Sequence, residues 1–264
     1  MPELPRYVDR ANTLLAARGH APVSVGDVRG ADDQLRLLID ILHVYGIAII
    51  FDVVYNHEGG DFGKESLYFF DRARPGNNND SLYFTDRDWA GGLVFAYWNA
   101  SVRQFLIDNA VAMMHKFHVD GFRYDEVSVI DRFGGWHFCQ NPSVRTAKPS
   151  AVQIAEFWNP GPDWVVRPSS SGGAGFDMVW SDRMRDSVRS VIEQASHGAL
   201  APINLERIRD ALMPPAGFDG AWRAVQNHDV LLTNHEPKDQ KPRIAHICDP
   251  SDAVLVRALA RPDR

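Results

Sequence analysis

Two rhythms alternate along this chain: stretches with apolar residues at helical spacing, and short runs that are apolar almost throughout. Residues 5–18 predict a helix opened by Pro5 and closed near Gly19. A second is expected over 32–45, with Leu35, Leu38, Ile39 and Leu42 on one face and Gly46 at the C-terminal cap. The run Ile47-Ala48-Ile49-Ile50-Phe51-Asp52-Val53-Val54 follows, with the character of a strand buried on both faces of a parallel sheet. Residues 56–98 break the rhythm with glycines, aromatics and the Asn77-Asn78-Asn79-Asp80 run, and predict an irregular excursion with little regular structure. A helix returns over 101–117, with Val102, Phe105, Leu106, Ala110, Met113 and Phe117 along its apolar stripe.

The alternation then repeats. A strand is expected at 119–125, a partly helical stretch at 131–147, a strand at 151–156, a Gly/Ser/Pro-rich loop at 159–175 and a strand at 176–180. The helix expected at 182–196 has Asp182 as N-cap and Met184, Val188, Val191, Ile192 and Ala195 facing inward. A shorter helix at 204–212 opens at Asn204, a strand at 221–226 follows, and 230–264 yields no clear element. Five strands separated by helices make an α/β fold with a parallel sheet, and no internal repeat is present.

Composition narrows the partner. The 264 residues are 45% hydrophobic, enough for the core of one domain or at most two. A formal net charge of -6 argues against nucleic acid, whose phosphates need a basic face, and suits a neutral substrate such as a sugar. Cys139 and Cys248 are too far apart to suggest a disulfide framework or a metal knuckle, so a reducing, cytoplasmic setting is expected. Met1-Pro2-Glu3-Leu4-Pro5 has no signal-peptide pattern, and no apolar run is long enough to predict a membrane span.

Candidate chemistry collects where four of the strands end. Asp52, Asn56 and His57 follow the first, Arg123 and Asp125 end the second, Glu156 ends the third, and His228 and Asp229 follow the last. A lone Asp after a strand is ordinarily a helix cap. Four strands ending alike point instead to the face where β/α barrels hold their active sites. Arg123 and Asp125 are two apart on a strand, so they share a side, while Phe122 and Tyr124 take the other. A guanidinium beside a carboxylate favours its ionised form, as a nucleophile requires. Glu156 sits in Ile154-Ala155-Glu156-Phe157-Trp158, an apolar setting that favours the protonated form a general acid needs.

The segments Asp52-Val53-Val54-Tyr55-Asn56-His57, Gly121-Phe122-Arg123-Tyr124-Asp125, Ala155-Glu156-Phe157-Trp158 and Asn227-His228-Asp229 resemble, in order, the four motifs of the α-amylase superfamily, glycoside hydrolase family 13. The wording around the second is most similar to bacterial glucan branching enzymes and their amylase-like relatives. The resemblance spans roughly residues 30–230. It implies Asp125 as nucleophile, Glu156 as acid/base and Asp229 as the third catalytic carboxylate. It implies His57, His228, Arg123, Tyr55 and Asn227 as substrate-binding residues, with Asp52 and Asn56 supporting the site. The implied partner is an α-glucan such as starch, glycogen or a malto-oligosaccharide, with no nucleic acid and no membrane. No cofactor is implied beyond the calcium that some relatives hold through the Asn of the first motif; no calcium loop is evident here, and no metal ligand is assigned. Tyr97, Trp98, Trp158 and Trp164 are candidates for stacking on sugar rings.

A family barrel has eight strands, with the first motif after the third. By that count this chain is a partial (β/α)8 TIM barrel carrying about strands three to seven. It reads as one incomplete catalytic barrel over 1–264, with 56–98 inserted. A barrel left open exposes strand edges, so the isolated chain is expected to be weakly active or inactive. The alternative is a non-catalytic remnant that binds glucan or a partner chain.

Overall fold

The computed structural model describes residues 3–59, 77, 80–136, 142–198, 200–213 and 224–226. It divides into two compact units, one formed by 1–159 with 174–176, the other by 160–173 with 177–264.

The first unit opens with α1 (Leu4–Ala16) and α2 (Ala31–Val44). Pro5 lies in the first turn of α1, where its missing N–H costs nothing. Val8, Ala11 and Leu15 of α1 pack with Val28 and with Leu37 and Ile41 of α2. The face expected on α2 is therefore rotated: Leu37, Ile39 and Ile41 are buried, while Leu38 is exposed. The cause is that α2 serves two neighbours, α1 on one side and the body of the unit on the other, rather than a single stripe.

Strands β1 (Ile50–Val53), β5 (Gly121–Tyr124) and β6 (Val152–Ala155) run parallel, with β5 paired to both others. The strand expected over 47–54 is shorter, and Ile47 and Val54 are exposed rather than buried. Helix α3 (Ala100–Phe117) is bounded as its sequence dictates. The Asn99 side chain accepts the Ser101 N–H at one end, and His118 turns left-handed at the other. Its buried stripe is Val102, Leu106, Ile107, Ala110 and Met114, so Phe105 comes out exposed. The stretch read as partly helical contains α4 (Val127–Arg132) and α5 (Pro142–Ala147).

The excursion at 56–98 is more regular than expected. It contains β2 (His57–Glu58), β3 (Phe84–Trp89) and β4 (Gly92–Phe95), an antiparallel sheet in the order β2-β4-β3. Ala90 and Gly91 join β3 to β4 with φ of 49° and 91°, the left-handed pair of a tight hairpin turn. A register shift between Phe84 and Asp88 interrupts the alternation that would have announced β3.

At the start of β5 lies a polar node. Asp120 Oδ2 is 2.8 Å from both His43 Nε2 and the Ile49 N–H, and Oδ1 accepts from Lys148 Nζ at 2.7 Å. Burial would raise this carboxyl, but the bonds from Lys148, Ile49 and His43 outweigh it and hold it down to about 2.

In the second unit, β7 (Met178–Ser181) pairs in parallel with β8 (Ala224–Gln226). Helix α7 (Asp182–Ser196) packs with α8 (Glu206–Leu212). The expected loop contains α6 (Pro162–Val166) and a 3₁₀ turn at Ser169–Ser171. Parallel strands alternating with helices form an α/β architecture consistent with part of a β/α barrel. No helix among the described residues is long and apolar enough to cross a membrane.

Candidate active site

The parallel register sets the site. Asp52 lies opposite Arg123, and Tyr124 lies opposite Ala155, so the chain leaves all three strands at one level. Asp125 follows β5 and donates its N–H to Val53 O at 3.0 Å; Glu156 follows β6 and donates its N–H to Tyr124 O at 3.1 Å. Along β5, Phe122 and Tyr124 are wholly buried in an aromatic cluster, with Tyr124 edge-on to Phe176 at 5.6 Å. Alternation sends Arg123 to the other face.

Arg123 holds three carboxylates together. Its Nη1 donates to Asp52 Oδ1 and Asp125 Oδ1, both at 2.7 Å, and its Nη2 donates to Glu156 Oε2 at 2.5 Å. The sequence suggested a guanidinium serving Asp125 alone; the register makes it common property. Asn56, fully buried, donates Nδ2 to Asp125 Oδ2 at 2.8 Å and to Asp125 O at 2.9 Å. The nucleophile candidate is thus gripped from two sides.

The two principal carboxylates live in different surroundings. The side chain of Asp125 is 27% exposed and that of Glu156 is 11% exposed. Burial pushes the Glu156 carboxyl up to about 8, against the opposing pull of Arg123 and the Glu126 N–H, with the charges of Asp125 and Glu126 adding to the rise. Asp52 is mostly exposed and meets the site through Arg123.

The other expected residues divide. His57 stands half-buried on β2 opposite Val94, with its Nδ1 buried and without a hydrogen-bond partner among the described residues. Tyr55 is a correction: its ring is buried and its hydroxyl donates to Asn109 Oδ1 of α3 at 2.6 Å, so it packs the core instead of facing a sugar. Tyr97 is likewise buried, with its hydroxyl on Tyr55 O, whereas Trp98 and Trp158 are exposed and Trp164 is half-buried. Asn227, His228 and Asp229 lie outside the described residues. No cluster of three or more His, Cys, Asp or Glu among the described residues could hold a metal ion. The buried Asn56 Oδ1, without a hydrogen-bond partner, is a single oxygen, where calcium takes six to eight.

Two neighbours were not anticipated. Glu126 donates its N–H to Glu156 Oε2 at 2.9 Å, and the buried Ser128 hydroxyl accepts the Trp158 N–H at 2.7 Å. The only hint in the sequence was that a second carboxylate directly follows Asp125.

No family model matches the chain. Curated sequences do. The 1,4-alpha-glucan branching enzyme GlgB of a Mycobacterium species (strain KMS) is 35% identical over 176 residues, covering 58% of this chain and 22% of that enzyme. The GlgB of Kitasatospora aureofaciens is 33% identical over 194 residues, covering 64% of this chain and 24% of that enzyme. The chain is similar to these branching enzymes over more than half of its own length. Two solved structures share the fold: an Anoxybacillus α-amylase, with a TM-score of 0.51, 20% identity and coverage of 69% of this chain and 39% of that one, and a cyclic α-maltosyl-(1→6)-maltose hydrolase from Arthrobacter globiformis, with a TM-score of 0.50, 20% identity and coverage of 72% and 44%. The chain covers less than a quarter of the length of these two branching enzymes.

Proposed function

We propose that this chain belongs to the α-amylase superfamily and carries the catalytic centre of a retaining enzyme acting on α-1,4- and α-1,6-linked glucans, with five strands that correspond to the third to seventh of the barrel. The observation that carries the reading is the Arg123 bridge between a partly exposed Asp125 and a buried Glu156. Each carboxylate is one hydrogen bond from the same guanidinium. Two carboxyls that share one guanidinium suit direct attack, for which they stand about 5–5.5 Å apart, better than attack by an intervening water.

In the first step, an Asp125 oxygen bonds to the anomeric carbon while Glu156 gives its proton to the departing glycosidic oxygen. Burial keeps that proton in place through neutral pH. In the second step, Glu156 takes a proton from water or from a sugar hydroxyl as that oxygen attacks the same carbon and frees Asp125. Water gives hydrolysis and a glucan hydroxyl gives transfer; the likeness to branching enzymes inclines the assignment toward transfer. Asp229 is assigned as the third carboxylate, with His57, His228 and Asn227 binding sugar hydroxyls. Asp52 and Asn56 support Arg123 and Asp125.

The test is to incubate the chain with a fluorinated glucosyl fluoride, which slows the second step, and to weigh it. Expected is an adduct of one sugar on Asp125 that is absent in Asp125→Asn, together with loss of glucose release or transfer from amylose in that variant. Turnover that survives Asp125→Asn sinks the assignment.

A further inference from the structure

The reaction just described makes no use of Glu126, yet the chain is bent to place it. Its backbone is left-handed, with φ 44° and ψ 52°, a conformation non-glycine residues adopt only when their surroundings impose it. That bend turns its N–H onto Glu156 Oε2 at 2.9 Å, the same oxygen that Arg123 Nη2 reaches at 2.5 Å. The next amide, Val127 N–H, donates to Glu156 O at 2.8 Å, and the Trp158 N–H donates to Ser128 Oγ at 2.7 Å. Three bonds therefore fasten the turn after β5 to the turn after β6, with Glu126 at the centre. Its side chain is half-buried and directly follows Asp125 in the chain.

We propose that Glu126 is a positioning residue for the acid/base: its main chain fixes the Glu156 carboxyl, and its side-chain charge favours the neutral form of Glu156. This rests on reading Glu156 as the acid/base. The groups acting on Glu126 are Asp125 and Arg123 from β5 and its end, Arg132 from α4, and Glu156 and Trp158 from the segment after β6; Asp52, from β1, shares the same guanidinium. Negative groups outnumber positive ones around Glu156, which favours its neutral form. Burial, then the Asp125 charge, push Glu126 itself up to about 7, so the two glutamates titrate as a linked pair.

Glu126→Gln separates the charge from the shape. It keeps the backbone bonds and the side-chain shape, and removes the carboxylate. The experiment follows the glutamate carboxyl carbons of the ¹³C-labelled chain by NMR against pH, with the Glu156 signal identified by its loss in Glu156→Gln. Expected is a Glu156 midpoint displaced to lower pH by about one unit in Glu126→Gln, the scale on which linked carboxyls interact, and a midpoint retained in Glu126→Asp. An unchanged midpoint in folded Glu126→Gln overturns the proposal. So does an equal displacement in Glu126→Asp, which would make shape and not charge the cause. Where turnover is measurable, the alkaline limb of its pH profile moves with the NMR midpoint. The titration decides the role of Glu126 even if the chain turns over no glucan, so failure of the assigned reaction is told apart from failure of this proposal.

Discussion

Asn56 shows how narrowly a single side chain can be specified. It is fully buried, its Nδ2 feeds two oxygens of Asp125, and its Oδ1 has no hydrogen-bond partner among the described residues. An amide suits this place because it donates without carrying charge. Asn56→Asp keeps the volume but removes the donor and sets a second carboxylate against Asp125. An unpaired buried charge costs on the order of 3 kcal/mol. The expected result is a folding free energy lower by about that amount at pH 7, partly recovered at acid pH as the new carboxyl takes up a proton, read from urea transitions. The residue type and its motif were legible in the sequence. Its two bonds to Asp125 were not, because they depend on β1 and β5 being neighbours. The same holds for Arg123: spacing told which side of β5 it takes, but only the register Asp52↔Arg123 brings a third carboxylate to it.

Among elements, the helices were read best and the antiparallel sheet worst. Helix α3 announces itself by a sustained apolar period, and the structure adds the Asn99 cap. The hairpin β3–β4 is hidden by its bulge and by Ala90, a residue rarely found in the left-handed position it occupies. Gly92 is the hinge of that sheet's packing. A Cβ there would stand 1.5 Å from Glu58 O and 2.7 Å from His57 Nδ1. The first of these is backbone on a paired strand and cannot step aside. Gly92→Ala must push β4 off β2 and carry His57 with it. The expected loss is at least about 2 kcal/mol, on the scale of overpacking, together with weakened turnover. A thermal transition unchanged in Gly92→Ala would show that the two strands are not held this closely in solution.

At the scale of the whole molecule, opposing carboxyls set the response to pH. Glu156 and Glu126 are raised from the ordinary 4.5 to about 8 and about 7, so the native chain holds protons that the unfolded chain has released. Their contribution is complete below about 4.5 and is lost as pH rises toward 8. Asp120 is lowered from 3.8 to about 2, so its contribution is present above 3.8 and is lost as pH falls toward 2. Stability should therefore peak on the acid side, near pH 4 to 4.5, and decline toward neutrality, as measured by denaturant midpoints across the range. Glu156→Gln should flatten the decline above 4.5 and leave the acid limb alone. A stability that climbs steadily from pH 5 to 8 would contradict the burial assigned to the two glutamates. The overall α/β plan was legible from the alternation of runs, while this balance was not, since it arises from burial and neighbours that no local pattern records.

The three bonds that fasten the turn after β5 to the turn after β6 have a consequence beyond the proposed reaction. The amides of Glu126, Val127 and Trp158 can trade their hydrogens with heavy water only when those two turns part. Their exchange is a clock on the assembly of the centre, running without any sugar present. It would tell an intact but idle centre from one that has come apart, a distinction that silence in an activity assay cannot make.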